Sequence, residues 1–214
     1  MYLPPYFNSN DPAATWDLIR AYPFASLISN DDAGFPFVTH LPLHLPQDDG
    51  PLRLLGHVAK PNPHWRYLQA RPQALVTFMG PHAYLSPRVY PDLARVPSWN
   101  YLAVHCTVRA QLVEDPAAKD ALLKTLIADH EPAYAAQWRA LGEDYALKML
   151  AGIVGFELSV IDLQCKLKLN QHRPEAHAAM AAMYAAGNEN ERALVQWMRR
   201  LGMSTAEVGA DPGS

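Results

Sequence analysis

The segment Gly56-His57-Val58-Ala59-Lys60-Pro61-Asn62-Pro63-His64-Trp65 predicts a β-strand that passes directly into an α-helix. Pro63 suits the first helical position, where a backbone N–H would have no partner, and Asn62 suits the N-cap before it. The first turn of a helix presents unpaired N–H groups and the positive end of the helix dipole, which attract anions. Because Lys60 adds a positive charge there, the segment is a candidate phosphate site. The alternative is a capped turn with a solvated lysine.

Further strand patterns flank this segment, with few helices between them. Extended patterns predict strands over residues 24–29, 35–45, 52–59, 73–79, 83–85, 98–114 and 153–163, with turns at 47–50 and Gly80-Pro81. Helices are predicted over 12–22, 63–70, 116–130, a short stretch after Pro132, a stretch from Pro174, and 189–201. Neighbouring strands without a crossover helix pair antiparallel. We therefore expect a mainly β, α+β fold, with an antiparallel β-barrel, peripheral helices and a C-terminal helical hairpin.

The composition is that of an ordinary globular protein. The chain has 214 residues, of which 50% are hydrophobic and 18% charged, and its net charge of −3 argues against a globally basic nucleic-acid binder. Cys106 and Cys165 are too few for a disulfide framework, and the first 20 residues lack the pattern of a signal peptide. The most apolar stretch, 149–163, is interrupted by polar residues and cannot span a bilayer. We expect a soluble, cytoplasmic protein that does not insert into membranes.

Nine histidines raise the question of a metal site. His40 and His44 are four residues apart on a predicted strand, with Pro42 between them, and His57, His64 and His105 could join them only through the fold. The sequence contains neither an HExxH motif nor a facial-triad spacing. We therefore expect no metal site.

Six groups of residues resemble the PaiB family of FMN-binding negative transcriptional regulators, and their order along the chain makes the resemblance specific. They are Met1-Tyr2 with Pro4 and Phe7; His40-Leu41-Pro42 with His44; Gly56 to Lys60 with Asn62 to Trp65; Thr77-Phe78 with Gly80 to Tyr84 and Ser86-Pro87; Val96-Pro97 with Trp99-Asn100-Tyr101 and Val104-His105; and Lys166 to Leu169 with Gln171 and Arg173-Pro174. The chain departs from the family at Val89, where a tryptophan is usual, and within residues 165–172.

The resemblance implies a flavin-binding split barrel similar to pyridoxamine phosphate oxidase, with FMN in a groove between the subunits of a homodimer. It places Lys60 at the FMN phosphate, Asn62 beside it, and the extended segments and aromatic residues along the ring. The predicted cofactor-binding residues are Thr39, His40, Leu41, His57, Val58, Ala59, Lys60, Asn62, Trp99, Asn100 and Tyr101. Core packing is the alternative for Trp99 and Tyr101, and loop structure is the alternative for His82, Tyr84 and Ser86.

We expect three segments: an FMN-binding split-barrel domain with inserted helices over 1–172, a helical hairpin over 173–203 packed on the barrel or the dimer, and a flexible tail over 204–214. The hairpin carries Arg192, Arg199 and Arg200 and could be a helix-turn-helix. Glu189 and Glu191 offset that charge, so packing is the favoured interpretation and DNA binding has no support from charge. The sequence indicates no catalytic acid or base. A PaiB-type regulator that senses flavin or redox state is the leading hypothesis, and a flavin oxidoreductase acting on a small substrate is the alternative.

Overall fold

A single six-stranded sheet organises the fold in the computed structural model, which describes residues 1–46, 50–92 and 94–203. The strands are antiparallel and lie in the order β2-β1-β4-β5-β6-β3. Their bounds are β1 Phe24–Asn30, β2 Pro36–Pro42, β3 Arg53–Ala59, β4 Gln73–Leu85, β5 Ser98–Val113 and β6 Ile153–Lys168. The predicted α+β class with an antiparallel sheet is confirmed.

Seven α-helices accompany the sheet within the described residues. They are α1 Pro12–Ala21, α2 His64–Ala70, α3 Pro116–His130, α4 Tyr134–Ala140, α5 Glu143–Ala151, α6 His177–Ala185 and α7 Glu189–Arg200, with short 3-10 turns at Pro5–Phe7, Pro87–Val89 and Pro174–Ala176. In these described ranges, no helix combines the length and apolar character needed to cross a membrane.

The chain divides into two compact units, each with its own buried side chains. Among the described residues, the N-terminal unit contains those within 1–18, 79–104 and 164–203, and the barrel-strand unit contains those within 19–78 and 105–163. Fully buried side chains of the N-terminal unit include Leu18, Leu102, Leu169, Met180, Tyr184 and Met198. Those of the barrel-strand unit include Leu27, Leu54, Val76, Phe78, Phe156 and Leu158.

Local capping signals place several helix starts correctly. In α1 the Asp11 carboxylate accepts a hydrogen bond from the Ala13 N–H (2.9 Å), and in α3 the Asp115 carboxylate accepts one from the Ala118 N–H (2.8 Å). Asn188 and Glu191 form a reciprocal capping box at the start of α7. These caps accept hydrogen bonds from N–H groups that have no partner inside the helix, which is why such residues mark helix starts in the sequence.

The predicted turn at Gly80-Pro81 is wrong, because β4 runs through it to Leu85. Gly80 allows a close approach: a Cβ there would lie 2.6 Å from Leu18 Cδ1 and 3.1 Å from Leu102 Cβ. Within β4, the residues that pair with β1 are Leu75–Thr77. Pro81 is beyond that pairing, so its missing N–H costs no ladder bond to β1.

Other element bounds differ from those predicted. β2 ends at Pro42 rather than residue 45, and His44 instead forms an isolated antiparallel bridge with Leu55. The short helix predicted after Pro132 corresponds to α4, and α5 is a further helix that the sequence pattern did not predict. β6 continues five residues past the predicted end at Leu163. Most of the predicted turn at 47–50 (residues 47–49) and the predicted tail at 204–214 lie outside the described residues.

Candidate functional site

The turn between β3 and α2 presents Lys60 on the surface. The Lys60 N–H donates to the Gly152 carbonyl (2.8 Å), and the Lys60 carbonyl accepts from Trp65 Nε1 (3.0 Å), so its backbone is held from both sides. The Lys60 side chain is exposed, and its ammonium has no hydrogen-bond or ion-pair partner among the described residues. The turn therefore offers a positioned but unneutralised positive charge.

Asn62 makes the capping contact that the sequence predicts, although α2 begins at His64, one residue later than expected. The Asn62 side-chain oxygen accepts from the His64 N–H (3.0 Å), and its amide nitrogen donates to Thr39 Oγ1 (3.2 Å). α2 has only seven residues, so its dipole attracts an anion less strongly than that of a longer helix. The positive charge of the site comes mainly from Lys60.

A fully buried histidine lies behind this turn. His64 Nδ1 is 2.8 Å from Thr39 Oγ1 on β2, and His64 Nε2 is 2.9 Å from Ser29 Oγ on β1. All hydrogen bonds are satisfied when Nε2 carries the proton and donates to Ser29, while Thr39 donates to Nδ1 and accepts from Asn62. The imidazole thereby ties two strands to the first turn of α2.

Burial lowers the pKa of His64 from 6.5 to about 4. The ring has no exposed surface and is bonded at both nitrogens by neutral groups, so a charged imidazolium would lose its hydration without gaining a carboxylate. His64 is therefore neutral at pH 7. It acts as a hydrogen-bonded connector and not as a source of positive charge.

The predicted residues of β2 alternate between the two faces of the strand. Thr39 is half-buried in the His64 network, and Leu41 is buried in the core. His40 is exposed between them, with its ring stacked on Phe24 (centroids 6.4 Å apart) and its Nδ1 3.0 Å from Ser26 Oγ. His40 and the backbone of β2 are thus the parts of this segment open to a ligand.

The predicted residues of β3 differ in what they can offer. Val58 is buried, so it can offer a ligand only its backbone, whereas Ala59 is exposed at the strand end. His57 is half-buried, and burial together with the nearby His44 lowers its pKa. A neutral imidazole at the His57 position can donate or accept one hydrogen bond at neutral pH.

The three predicted residues of β5 belong to the N-terminal unit. Trp99 is 47% exposed, and its Nε1 donates to His82 Nδ1 (3.2 Å). Tyr101 is half-buried, with the ammonium groups of Lys166 and Lys168 5.1 and 5.8 Å from its ring centroid.

Asn100 takes a different position from its neighbours. It is fully buried, and its amide nitrogen donates to Tyr184 Oη (3.0 Å) and contacts Met180 Sδ (3.1 Å) of α6. Successive strand residues point to opposite faces, so Asn100 faces away from the side that carries Trp99. We therefore leave Asn100 out of the flavin contacts that we propose below.

Several polar contacts join residues that are far apart along the chain. His64 contacts Thr39 and Ser29, which are 25 and 35 residues away, and His44 Nδ1 lies 2.6 Å from Asp129 Oδ2, 85 residues away. No local pattern predicts such pairs. Within the part of the chain that the structure describes, no group of three or more metal-ligating side chains is placed to hold a metal ion.

Comparison with known proteins identifies the family. Residues 1–162 match the model of the family described as “Putative FMN-binding domain”. The chain is also 33% identical over 194 residues to the protease synthase and sporulation protein PAI 2 of Bacillus subtilis, covering 90% of this chain and 93% of that protein. The chain belongs to the PaiB family. The resemblance given by the sequence motifs is thereby confirmed, and the protein is a flavin-binding split-barrel protein.

Solved structures show the same fold in other proteins of low sequence identity. The flavocytochrome Anf3 of Azotobacter vinelandii matches with a TM-score of 0.63 at 21% identity, covering 77% of this chain and 71% of its own. The FAD and haem binding protein of Mycobacterium smegmatis matches with a TM-score of 0.60 at 20% identity, covering 75% and 73%. These similarities support the split-barrel architecture of this PaiB-family member.

The His64 network predicts a specific pH dependence of stability. The pKa of His64 is about 4 in the folded chain and 6.5 in the unfolded chain. Between these values the unfolded chain binds a proton that the folded chain does not, so the free energy of unfolding falls as pH falls. Between pH 7.5 and pH 5.0 this difference in proton binding lowers the free energy of unfolding by about 2 kcal/mol.

Urea unfolding of the wild type and of His64→Gln at both pH values measures this cost. Gln cannot titrate, and all other groups are shared, so we expect the pH-dependent loss to be about 2 kcal/mol smaller in the variant. Equal losses in the two proteins would show that His64 is not held neutral by the fold.

Proposed function

We propose that this protein binds FMN with the phosphate at Lys60, as a homodimer, and that the bound flavin makes it a PaiB-type regulator responsive to flavin or redox state. The observation that carries the proposal is the Lys60 side chain, which is exposed and unpaired among the described residues on a backbone held from both sides. A phosphate near this ammonium gains a charge-assisted hydrogen bond without breaking an existing ion pair.

The residues around Lys60 are already held in place by hydrogen bonds to one another. The Asn62 and Thr39 side chains bond to each other and to His64, so the turn is braced before a ligand arrives. A braced site loses little conformational entropy on binding. In this assignment Asn62 positions the turn, and Lys60 contacts the phosphate.

The flavin ring is assigned to groups that remain open to a ligand. The backbone of β2 from Thr39 to Leu41 and the strand around His57 can hydrogen-bond the polar edge of the ring. When bound, FMN supplies hydride and electron transfer chemistry. The role of the chain is to hold the ring, exclude water from it and offer the neutral His57 imidazole as a hydrogen-bonding group.

Exposed apolar side chains support the proposed dimer. In the barrel-strand unit Phe24 is 66% exposed and Val38 46% exposed, on the neighbouring strands β1 and β2. Apolar groups exposed in clusters on a monomer often mark a surface that a partner covers. We assign the surface formed by Phe24, Val38 and His40 to a second copy of the chain, with FMN between the copies.

The regulatory role rests on the relative and does not require DNA reading by the C-terminal helices. The relative from Bacillus subtilis is named a protease synthase and sporulation protein, which fits a protein that controls other proteins rather than a metabolic enzyme. In α7, Arg192 donates to the Gly187 carbonyl, and Arg200 pairs with Asp17 (2.6 Å). These arginines have partners within the chain, so we propose that regulation does not depend on α7 as a DNA-reading helix.

The Lys60 assignment predicts a ligand-specific loss of affinity. Lys60→Ala should raise the Kd for FMN about tenfold, because it removes one charge-assisted contact worth roughly 1.4 kcal/mol at an exposed position. Riboflavin has no phosphate, so its Kd should change less than about twofold. Titration followed by flavin fluorescence measures both constants.

Lys148→Ala is the matched control, since it removes an equally charged lysine from the end of α5. We expect it to leave both affinities unchanged. Wild-type protein that ignores FMN would overturn the proposed cofactor. If Lys60→Ala weakened the binding of FMN and riboflavin equally, Lys60 would not be a contact of the phosphate.

If this surface is the dimer interface, a single charge introduced there should separate the subunits. Val38→Asp should convert the protein to a monomer, because an unpaired carboxylate is costly to bury at an interface. Light scattering after size exclusion measures the mass, and Val96→Asp serves as a control at another exposed valine. A wild type that is monomeric with and without FMN would refute the dimer, and a dimeric Val38→Asp would refute this surface.

Regulation and enzymatic redox turnover predict different behaviour of the FMN-loaded protein. A regulator should shift DNA from upstream of the genes it controls, with an affinity that falls at high salt and changes when the flavin is reduced. An oxidoreductase should instead oxidise NADH or NADPH steadily in the presence of an acceptor. Turnover without any flavin-dependent DNA shift would contradict the regulatory proposal.

A further inference from the structure

The N-terminal unit contains a cavity that the proposed flavin site does not use, and we propose that it binds a small organic carboxylate carrying an amide or lactam group. The cavity has a volume of about 300 Å³, enough for a compact metabolite. Its lining includes Arg95, Asn100, Lys168, Asn170 and Arg173. The proposal does not depend on flavin binding.

Lys168 supplies the charge that favours an anion. Its ammonium donates to Ser98 Oγ (2.8 Å) and to the Trp99 carbonyl (2.5 Å), which are neutral oxygens. Burial and the neighbouring Lys166 lower the pKa of Lys168, which indicates that its positive charge is poorly compensated. A carboxylate in the cavity would supply the missing negative charge.

The two arginines of the cavity are already paired with acids. Arg95 lies 2.8 Å from Asp92 and 3.6 Å from Glu175, and Arg173 lies 4.0 Å from Glu175. They therefore balance two carboxylates and leave Lys168 as the lining lysine without an acidic partner among the described residues. This arrangement directs a ligand carboxylate towards Lys168.

Two buried amide side chains lack part of their hydrogen bonding. Tyr184 Oη donates to the Tyr84 carbonyl (3.1 Å), so it must accept from the Asn100 amide nitrogen (3.0 Å). This contact fixes the orientation of Asn100 and leaves its buried Oδ1 without a partner in the described part of the chain. Asn100 is among the residues that line the cavity, and its side chain, which has no exposed surface, therefore carries an unused acceptor.

Asn170 offers the complementary donor. Its Oδ1 accepts from Tyr90 Oη (3.2 Å), whereas its buried Nδ2 has no partner among the described residues. The side chain is only 5% exposed, and the backbone is left-handed with φ of 64°. A buried polar group without a partner is costly, so each unpaired amide atom favours an occupant that completes its bonding.

One chemical group satisfies both asparagines. An amide or lactam edge presents an N–H for Asn100 Oδ1 and a carbonyl for Asn170 Nδ2. A carboxylate on the same small molecule can then pair with the Lys168 ammonium. Phe7, Leu85 and Val96 supply apolar lining for its carbon skeleton. The segment 164–174, which the family resemblance singled out, thereby gains a function as the source of Lys168 and Asn170.

Pyroglutamate is a suitable probe because it combines a lactam with a carboxylate, and pyroglutamide is its neutral counterpart. We would titrate each into ¹⁵N-labelled full-length protein and follow the side-chain amide signals of Asn100 and Asn170 by NMR. We expect saturable shifts of both signals with pyroglutamate and at least tenfold weaker binding of pyroglutamide. Acetate and inorganic phosphate should bind weaker than pyroglutamate, because neither has a lactam edge.

Two variants test the residues. Lys168→Met keeps the length of the side chain and should weaken pyroglutamate at least tenfold while leaving pyroglutamide unchanged. Asn170→Gly keeps the left-handed backbone accessible and should weaken both ligands. Lys148→Met is the charge control, and thermal melting verifies that each variant is folded.

Three results would overturn the proposal. They are the absence of saturable shifts with pyroglutamate up to 10 mM in the wild type, equal affinity for the neutral analogue, or unchanged pyroglutamate affinity in folded Lys168→Met. Because these measurements use protein without FMN, their failure leaves the flavin proposal intact. Failure of the flavin titrations likewise leaves this cavity unaffected.

Discussion

The buried His64 imidazole is the interaction on which the candidate site depends. Its two nitrogens bond to Ser29 of β1 and Thr39 of β2, and its backbone N–H is capped by Asn62. One neutral side chain thus connects two strands to the turn that presents Lys60. A charged histidine could not occupy this position without losing hydration, so the fold keeps the imidazole neutral and leaves the positive charge of the turn to Lys60.

Local chemistry made part of this structure predictable. Asp-Pro pairs mark helix starts because a carboxylate cap and a residue without an N–H both relieve unpaired donors. Gly80-Pro81 misled the same kind of reasoning, because there the glycine serves close packing and the proline lies where β4 has no bond to β1 to lose. The helix α5 was missed because its exposed apolar residues, such as Tyr145 and Leu147, give no clear buried face.

The site was predictable only where it is continuous in sequence. Lys60, Asn62 and the end of β3 form one turn, so their proximity follows from chain connectivity. The partners of His64 come from residues that only the completed sheet brings close. Because strand residues alternate between faces, the sequence predicts that Asn100 and Trp99 lie on opposite faces of β5. It does not predict which face is buried, because that depends on the packing of α6 against Asn100.

Two lysines carry the two proposed sites: the exposed Lys60 is proposed to bind a flavin phosphate, and the half-buried Lys168 a small anion. The first is central, because the family assignment supports flavin binding and the exposed Lys60 on its held backbone supports the place proposed for the phosphate. The most direct test is a crystal structure of the protein with FMN. We predict a dimer with the FMN phosphate within hydrogen-bond distance of Lys60 Nζ. FMN bound elsewhere, with Lys60 still in solvent, would contradict the account.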